Sequence, residues 1–99
     1  MNDTGCVLKT VKIIGSKWTI PVLSELCEGT RRFGQLEKNL AGISPRTLAQ
    51  RLKELEHHGL VHKRKFNEVP LHVEYSLTER GRSLRKIIFQ MQKWGQHHR

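Results

Sequence analysis

Ser44-Pro45-Arg46-Thr47-Leu48-Ala49-Gln50-Arg51-Leu52-Lys53-Glu54-Leu55-Glu56-His57-His58-Gly59 is the stretch that decides the fold. Ser44 offers a hydroxyl at an N-cap, and Pro45 follows at the first helical position, where its missing N–H costs nothing. Leu48, Leu52 and Leu55 recur at helical spacing, and Gly59 stands where a left-handed C-terminal residue belongs. A helix over 45–58 that buries those leucines presents Arg46, Gln50, Lys53 and His57 on its opposite face, with Thr47 and Arg51 on one flank. Arginine and glutamine can bond a guanine or adenine edge bidentately. Arg46, Thr47 and Gln50 also lie at the N-terminal end, whose free N–H groups and positive dipole suit a phosphate.

Upstream, Val7, Leu8, Val11 and Ile14 mark one face of a short helix around 7–14, interrupted by Gly15-Ser16. Trp18, Val22, Leu23 and Leu26 predict a second helix around 18–28. Pro21 removes a backbone donor there, so that helix either begins late or has an irregular first turn. Phe33, Leu36 and Leu40 give a third helix, 33–40, and Ala41-Gly42-Ile43 is a tight turn. Downstream, apolar alternation predicts strands around 61–66 and 72–77, joined through Asn67-Glu68-Val69-Pro70. A three-residue strand around Arg31–Phe33 would complete a small sheet. Thr78 caps a last helix, 79–94, with a stripe of Leu84, Ile87, Ile88 and Met91 that Trp94 extends. The order is mainly α with a small β hairpin, one domain over 1–99, and its pattern is that of a winged helix-turn-helix.

Ninety-nine residues leave room for one core. Only 36% are hydrophobic, which is low for a monomer and favours a dimer that buries more apolar surface. Residues 1–30 carry three charges of each sign. The whole net charge of +9 therefore lies in residues 31–99, with fifteen basic groups against six acidic. Such a one-sided field suits a polyanion and disfavours a small-molecule enzyme. No apolar run reaches the roughly 20 residues a bilayer requires, so no membrane partner is expected. Met1-Asn2-Asp3-Thr4 is not the start of a signal peptide, the ends Met1–Gly5 and Gln96–Arg99 read as loose, and two cysteines without CxxC spacing point to a reducing cytoplasm.

Lys63-Arg64-Lys65 precedes the hairpin loop and His72 follows it. Strand alternation cannot point all three cations one way, so two face outward. They suit phosphate contact; a charged edge strand that resists sheet-to-sheet association would look the same. Arg32 could reach a DNA backbone from the start of the helix-turn-helix, or it is one of a solvated pair with Arg31. The six histidines have no spacing with either cysteine that resembles a zinc motif, so no metal is expected. No phosphate loop, nucleophile–base pair or carboxylate pair suggests catalysis, and no cofactor is expected.

Gly15-Ser16-Lys17-Trp18-Thr19, Arg32-Phe33-Gly34-Gln35-Leu36, Gly42-Ile43-Ser44-Pro45-Arg46-Thr47-Leu48, Gln50-Arg51-Leu52-Lys53-Glu54-Leu55 and Val69-Pro70-Leu71-His72-Val73-Glu74-Tyr75-Ser76-Leu77-Thr78 occur in order and in register. Together they resemble the HxlR-type regulators, prokaryotic winged-helix transcription factors, from about Cys6 to Trp94. The resemblance implies a homodimeric repressor or activator with its recognition helix at Ser44–His57 and its wing at Phe66–His72. It implies a dimer built from the first and last helices, through Val7, Val11, Leu84, Ile87, Ile88, Met91 and Trp94. Double-stranded DNA is the expected partner, bound at a pseudo-palindromic operator through Arg32, Ser44, Pro45, Arg46, Thr47, Gln50, Arg51, Lys63, Lys65 and His72. Some members resembling this chain use a cysteine at the position of Cys6 to sense oxidants or electrophiles, so Cys6 is a redox-sensing candidate; an ordinary unreactive thiol is the other reading. Pro21 departs from the family pattern, in which a helix-compatible aliphatic is more usual. A protein-interaction or RNA-binding winged helix is the alternative function. It would be expected to show apolar or aromatic residues on the Arg46/Gln50/Arg51 face, which has none.

Overall fold

The computed structural model describes residues 3–98. In chain order its elements are α1 (Thr4–Ile14), α2 (Thr19–Cys27), β1 (Arg31–Arg32), α3 (Phe33–Asn39), α4 (Pro45–His57), β2 (Val61–Phe66), β3 (His72–Leu77), α5 (Glu79–Arg82) and α6 (Arg85–His97). The three strands form one antiparallel sheet in the order β1-β3-β2. The hairpin register pairs Val61 with Leu77 and Lys63 with Tyr75, while β1 pairs Arg31 with Tyr75 and Arg32 with Glu74. This is the winged helix-turn-helix expected from the sequence. No helix among the described residues is long and apolar enough to cross a membrane.

The core is aliphatic and lies where α2, α3, α4 and the inner face of the sheet meet. Leu23, Leu36, Leu48, Leu52 and Leu55 are fully buried in it, with Val61, Tyr75 and Leu77 closing it from the sheet. The leucine seam of α4 thus faces inward. Both ends of α4 are closed. At the start, Ser44 Oγ accepts from the Thr47 N–H at 3.1 Å. At the finish, Gly59 takes φ +71, Leu60 N–H donates to Leu55 O at 2.9 Å and Gly59 N–H to Glu56 O at 3.0 Å. This is the paired closure that a left-handed residue after a helix makes possible.

Pro21 proves compatible with its helix. It is the third residue of α2, and the first α-helical bond runs from Val22 N–H to Trp18 O at 3.0 Å. The first-turn donors have no intrahelical acceptor in any helix, so the missing N–H removes no bond.

Three expectations about the ends need correction. Helix α1 starts at Thr4, because the Asp3 carboxylate caps it by accepting from Cys6 N–H at 3.0 Å. The last helix is two helices. Gly81 packs against the Leu60 backbone, where an added Cβ would overlap the carbonyl, and Leu84 N–H tightens the turn by donating to Gly81 O at 3.1 Å. The chain then turns so that α6 lays Ile88 on the core. Helix α6 also continues to His97, past the expected end at 94, so Gln96 and His97 are helical and not a loose tail. Arg99 and the first two residues of the expected loose ends lie outside the described residues.

Ile88 is a further correction. It is 2% exposed and belongs to the core of this chain, so it is not part of a dimer surface. Leu84 is half-buried and packs on that core. Period alone could not separate the inward from the outward side of a stripe four residues wide. The apolar side chains left open are Val7, Leu8 and Val11 on α1 and Ile87, Met91 and Trp94 along one side of α6, with Phe89 exposed on the other side of α6, next to α2.

Candidate nucleic-acid interface

Helix α4 carries the candidate reading face. With Leu48, Leu52 and Leu55 buried, Arg46, Gln50, Lys53 and His57 are exposed, and Thr47 and Arg51 on the flank are half-buried. Ser44 and Pro45 shape the N-terminal end. Ser44 Oγ also donates to Thr47 Oγ1 at 2.8 Å, so this hydroxyl is committed to the cap while Thr47 keeps its own O–H to donate. Pro45 offers no N–H, and its part is to set the first turn. Arg51 Nη2 donates to Glu54 Oε1 at 2.9 Å. Glu54, four residues beyond Gln50, sits on the outward side as well. The sequence reading passed over it, although the i, i+4, i+8 line from Arg46 through Gln50 leads to it.

The wing separates its cations as strand alternation requires. Lys63 and Lys65 share the sheet face of Val61; Arg64, opposite Glu74, lies on the other face with His62 and Phe66. All three are exposed. Neither Lys63 nor Lys65 has a carboxylate within ion-pair distance among the described residues. Lys65 and Arg32 line one groove with Phe33, Leu71 and Val73. Arg32 N–H donates to Gln35 Oε1 at 2.8 Å, which fixes its backbone at the start of α3.

His72 has a different neighbourhood from the one expected of a phosphate contact. Its ring stacks on Phe66 with centroids 4.5 Å apart, and Arg64 lies over the same Phe66 ring at 4.8 Å. Its Nε2 is 3.2 Å from Glu74 Oε2 and its Nδ1 3.8 Å from Glu68 Oε2. These contacts brace the wing, and both ring nitrogens face carboxylates of this chain. The tip itself, residues 67–71, has no cation and exposes Val69 and Leu71.

Cys6 is exposed in the first turn of α1. Its Sγ donates to Asp3 Oδ2 at 3.1 Å. The carboxylate accepts from the thiol and repels a thiolate, which pushes the Cys6 thiol up from its ordinary range; the same bond holds the Asp3 carboxyl down. Lys9 and Lys12, three and six residues beyond Cys6, form no ion pair with Asp3. Cys27 is half-buried on α2. Among the described residues no three His, Cys, Asp or Glu side chains converge where they could hold a metal ion.

A helix-turn-helix whose second helix turns an arginine–glutamine face outward, followed by a lysine-bearing hairpin, defines the winged-helix transcriptional regulators. The chain belongs to the HxlR-like helix-turn-helix family, whose model matches residues 13–99. It is 46% identical over 87 residues to the HTH-type transcriptional regulator YdzF of Bacillus subtilis (strain 168), covering 87% of this chain and 80% of that protein. It resembles the redox regulator HypR in its oxidized form with a TM-score of 0.90 at 40% identity, over 94% of this chain and 96% of the other. A transcriptional regulator of the MarR family from Porphyromonas gingivalis W83 superposes with a TM-score of 0.93 at 35% identity, over 100% of this chain and 98% of the other.

Proposed function

We propose that this regulator binds a pseudo-palindromic DNA operator as a homodimer, with Arg46 and Gln50 reading base edges in the major groove. Thr47 and Arg51 stand beside them, and Lys63, Lys65 and Arg32 hold phosphates. The observation that carries the reading is the buried leucine seam of α4, which leaves the Arg46/Gln50 face free. His72 serves as a brace within the wing.

Self-association is supported by α1. This 11-residue helix has no fully buried residue; only Ile13 and Ile14 at its end pack on the core, and a helix of that length is marginal in water without more packing. Its Val7, Leu8 and Val11, together with Ile87, Met91 and Trp94, form the surface a second copy would cover. Two-fold homodimers are the commonest oligomers, and two dyad-related helices read half-sites about 10 bp or a multiple apart.

The test is selection of bound duplexes from a random pool, followed by affinity measurements on the selected and a scrambled sequence. Enrichment of an inverted repeat is expected, and Arg46→Ala should weaken the selected duplex more than the scrambled one. Recovery of no sequence, or of RNA in preference to duplex DNA, would refute the proposal. Control through Cys6 is a second reading, supported by its exposure and by the similarity to HypR. On that reading Asp3 restrains the thiol until it is displaced, and loss of operator binding on oxidant treatment must disappear in Cys6→Ser.

A further inference from the structure

Arg51 and Glu54 form a unit that base reading does not explain. Arg51 spends one donor on Glu54, its Nε–H is covered without any acceptor, and the side chain is 20% exposed against 53% for Glu54. A guanidinium carries its N–H donors in a rigid fork, so fixing one edge fixes the direction of the rest. At about 100° per residue, Arg51 lies a quarter-turn round from Gln50 and on one line with Ser44 and Thr47. The Thr47 hydroxyl on that line is already aligned by Ser44. A helix seated in the major groove turns its centre to the base edges and its flanks to the groove walls, which are phosphodiesters.

We infer that this flank of α4 is a phosphate track, in which Thr47 and Arg51 hold one DNA phosphodiester and Glu54 is the positioning residue for the guanidinium. The inference rests on the DNA-binding reading above and assigns Arg51 to the backbone, not to a base. A carboxylate near a phosphate repels it, so Glu54 lowers affinity for DNA in general. In exchange it converts a mobile cation, which would accept any phosphate in reach, into a fork that fits when the helix sits in register. Glu54 thereby raises the operator's advantage over other sequences without touching a base.

A double-mutant cycle of Glu54→Ala and Arg51→Ala tests this. Fluorescence anisotropy would be read on a duplex selected by the unaltered protein and on its scrambled counterpart, with thermal melting to show that each variant folds. Glu54→Ala is expected to tighten binding to the scrambled duplex and to lower the operator-to-scrambled ratio about five-fold, a coupling of ordinary size for a contacting pair. Arg51→Ala should weaken operator binding and flatten the salt slope by about 0.9 per protomer, with the same bases selected. In the Arg51→Ala background, Glu54→Ala should leave the ratio unchanged. Glu54→Gln, which keeps an acceptor for the fork, should retain most of the discrimination. The inference is overturned if Glu54→Ala shifts the ratio equally with and without Arg51, if it leaves the ratio unchanged, or if Arg51→Ala alters the bases selected. Failure of the unaltered protein to select any sequence would instead refute the DNA-binding reading.

Discussion

Replacing Lys63 with alanine isolates the wing's electrostatic share of DNA binding. The side chain is exposed, stands opposite Tyr75 in the ladder and has no carboxylate partner among the described residues, so its whole charge is available to a phosphate. Each neutralised phosphate contributes about 0.9 to the slope of log affinity against log salt. A homodimer carries the residue twice, so the slope should flatten by about 1.8. Between about 50 and 200 mM salt that difference amounts to a roughly 12-fold narrowing of the gap between the original protein and the variant. Arg64, which stands opposite Glu74, should show a smaller change when replaced. Anisotropy titrations on operator and scrambled duplexes at several salt concentrations supply the slopes, and both duplexes should respond alike. A flattening near 0.9 would mean that one wing contacts DNA. An unchanged slope, or a change seen on the operator alone, would refute the assignment of Lys63 to phosphate.

Leu52→Ala removes a fully buried side chain from the centre of the seam, and chemical denaturation should show a loss of about 2–5 kcal/mol. Met91→Asp on the open face of α6 should shift the protein to monomer in analytical ultracentrifugation while far-ultraviolet dichroism stays largely unchanged; a persistent dimer would move the interface elsewhere. Asp3→Asn removes the carboxylate that favours the protonated Cys6 thiol. Its alkylation rate should then rise at neutral pH, with the pH profile displaced to lower values, and an unchanged profile would show that Asp3 does not control the thiol.

Helix α4 was legible because its signals are local and agree: a hydroxyl cap, a first-turn proline, a leucine period and a closing glycine all fall within sixteen residues. The hairpin was legible for a similar reason, since period-two alternation fixes both strands and the face of each lysine. What escaped depends on contacts between distant segments. The break after Arg82 lies next to Gly81, which packs on the Leu60 backbone, a proximity no local pattern encodes. Ile88 and Ile87 are neighbours of equal hydropathy, and only the angle at which α6 meets α2 sends one inward and leaves the other in water. At the candidate site, Arg46 and Gln50 could be placed by helical geometry. The stacking of His72 on Phe66 and the hold of Asp3 on Cys6 arise from side-chain choices that become visible only in three dimensions.

One side chain bonds both the exit of α4 and the start of the C-terminal arm. Thr78 Oγ1 donates to Gly59 O at 2.6 Å, at the exit of α4, and accepts from Gly81 N–H at 3.0 Å, at the entry of the C-terminal arm. This hydroxyl thus joins the reading head to the limb that would grip a second copy, alongside the Thr78 N–H to Leu60 O bond and the Ile88 packing that hold the same limb. In the proposed homodimer, a shift of that limb would bear on the exit of the reading helix through this hydroxyl, a short path from the subunit junction to the spacing of the two heads.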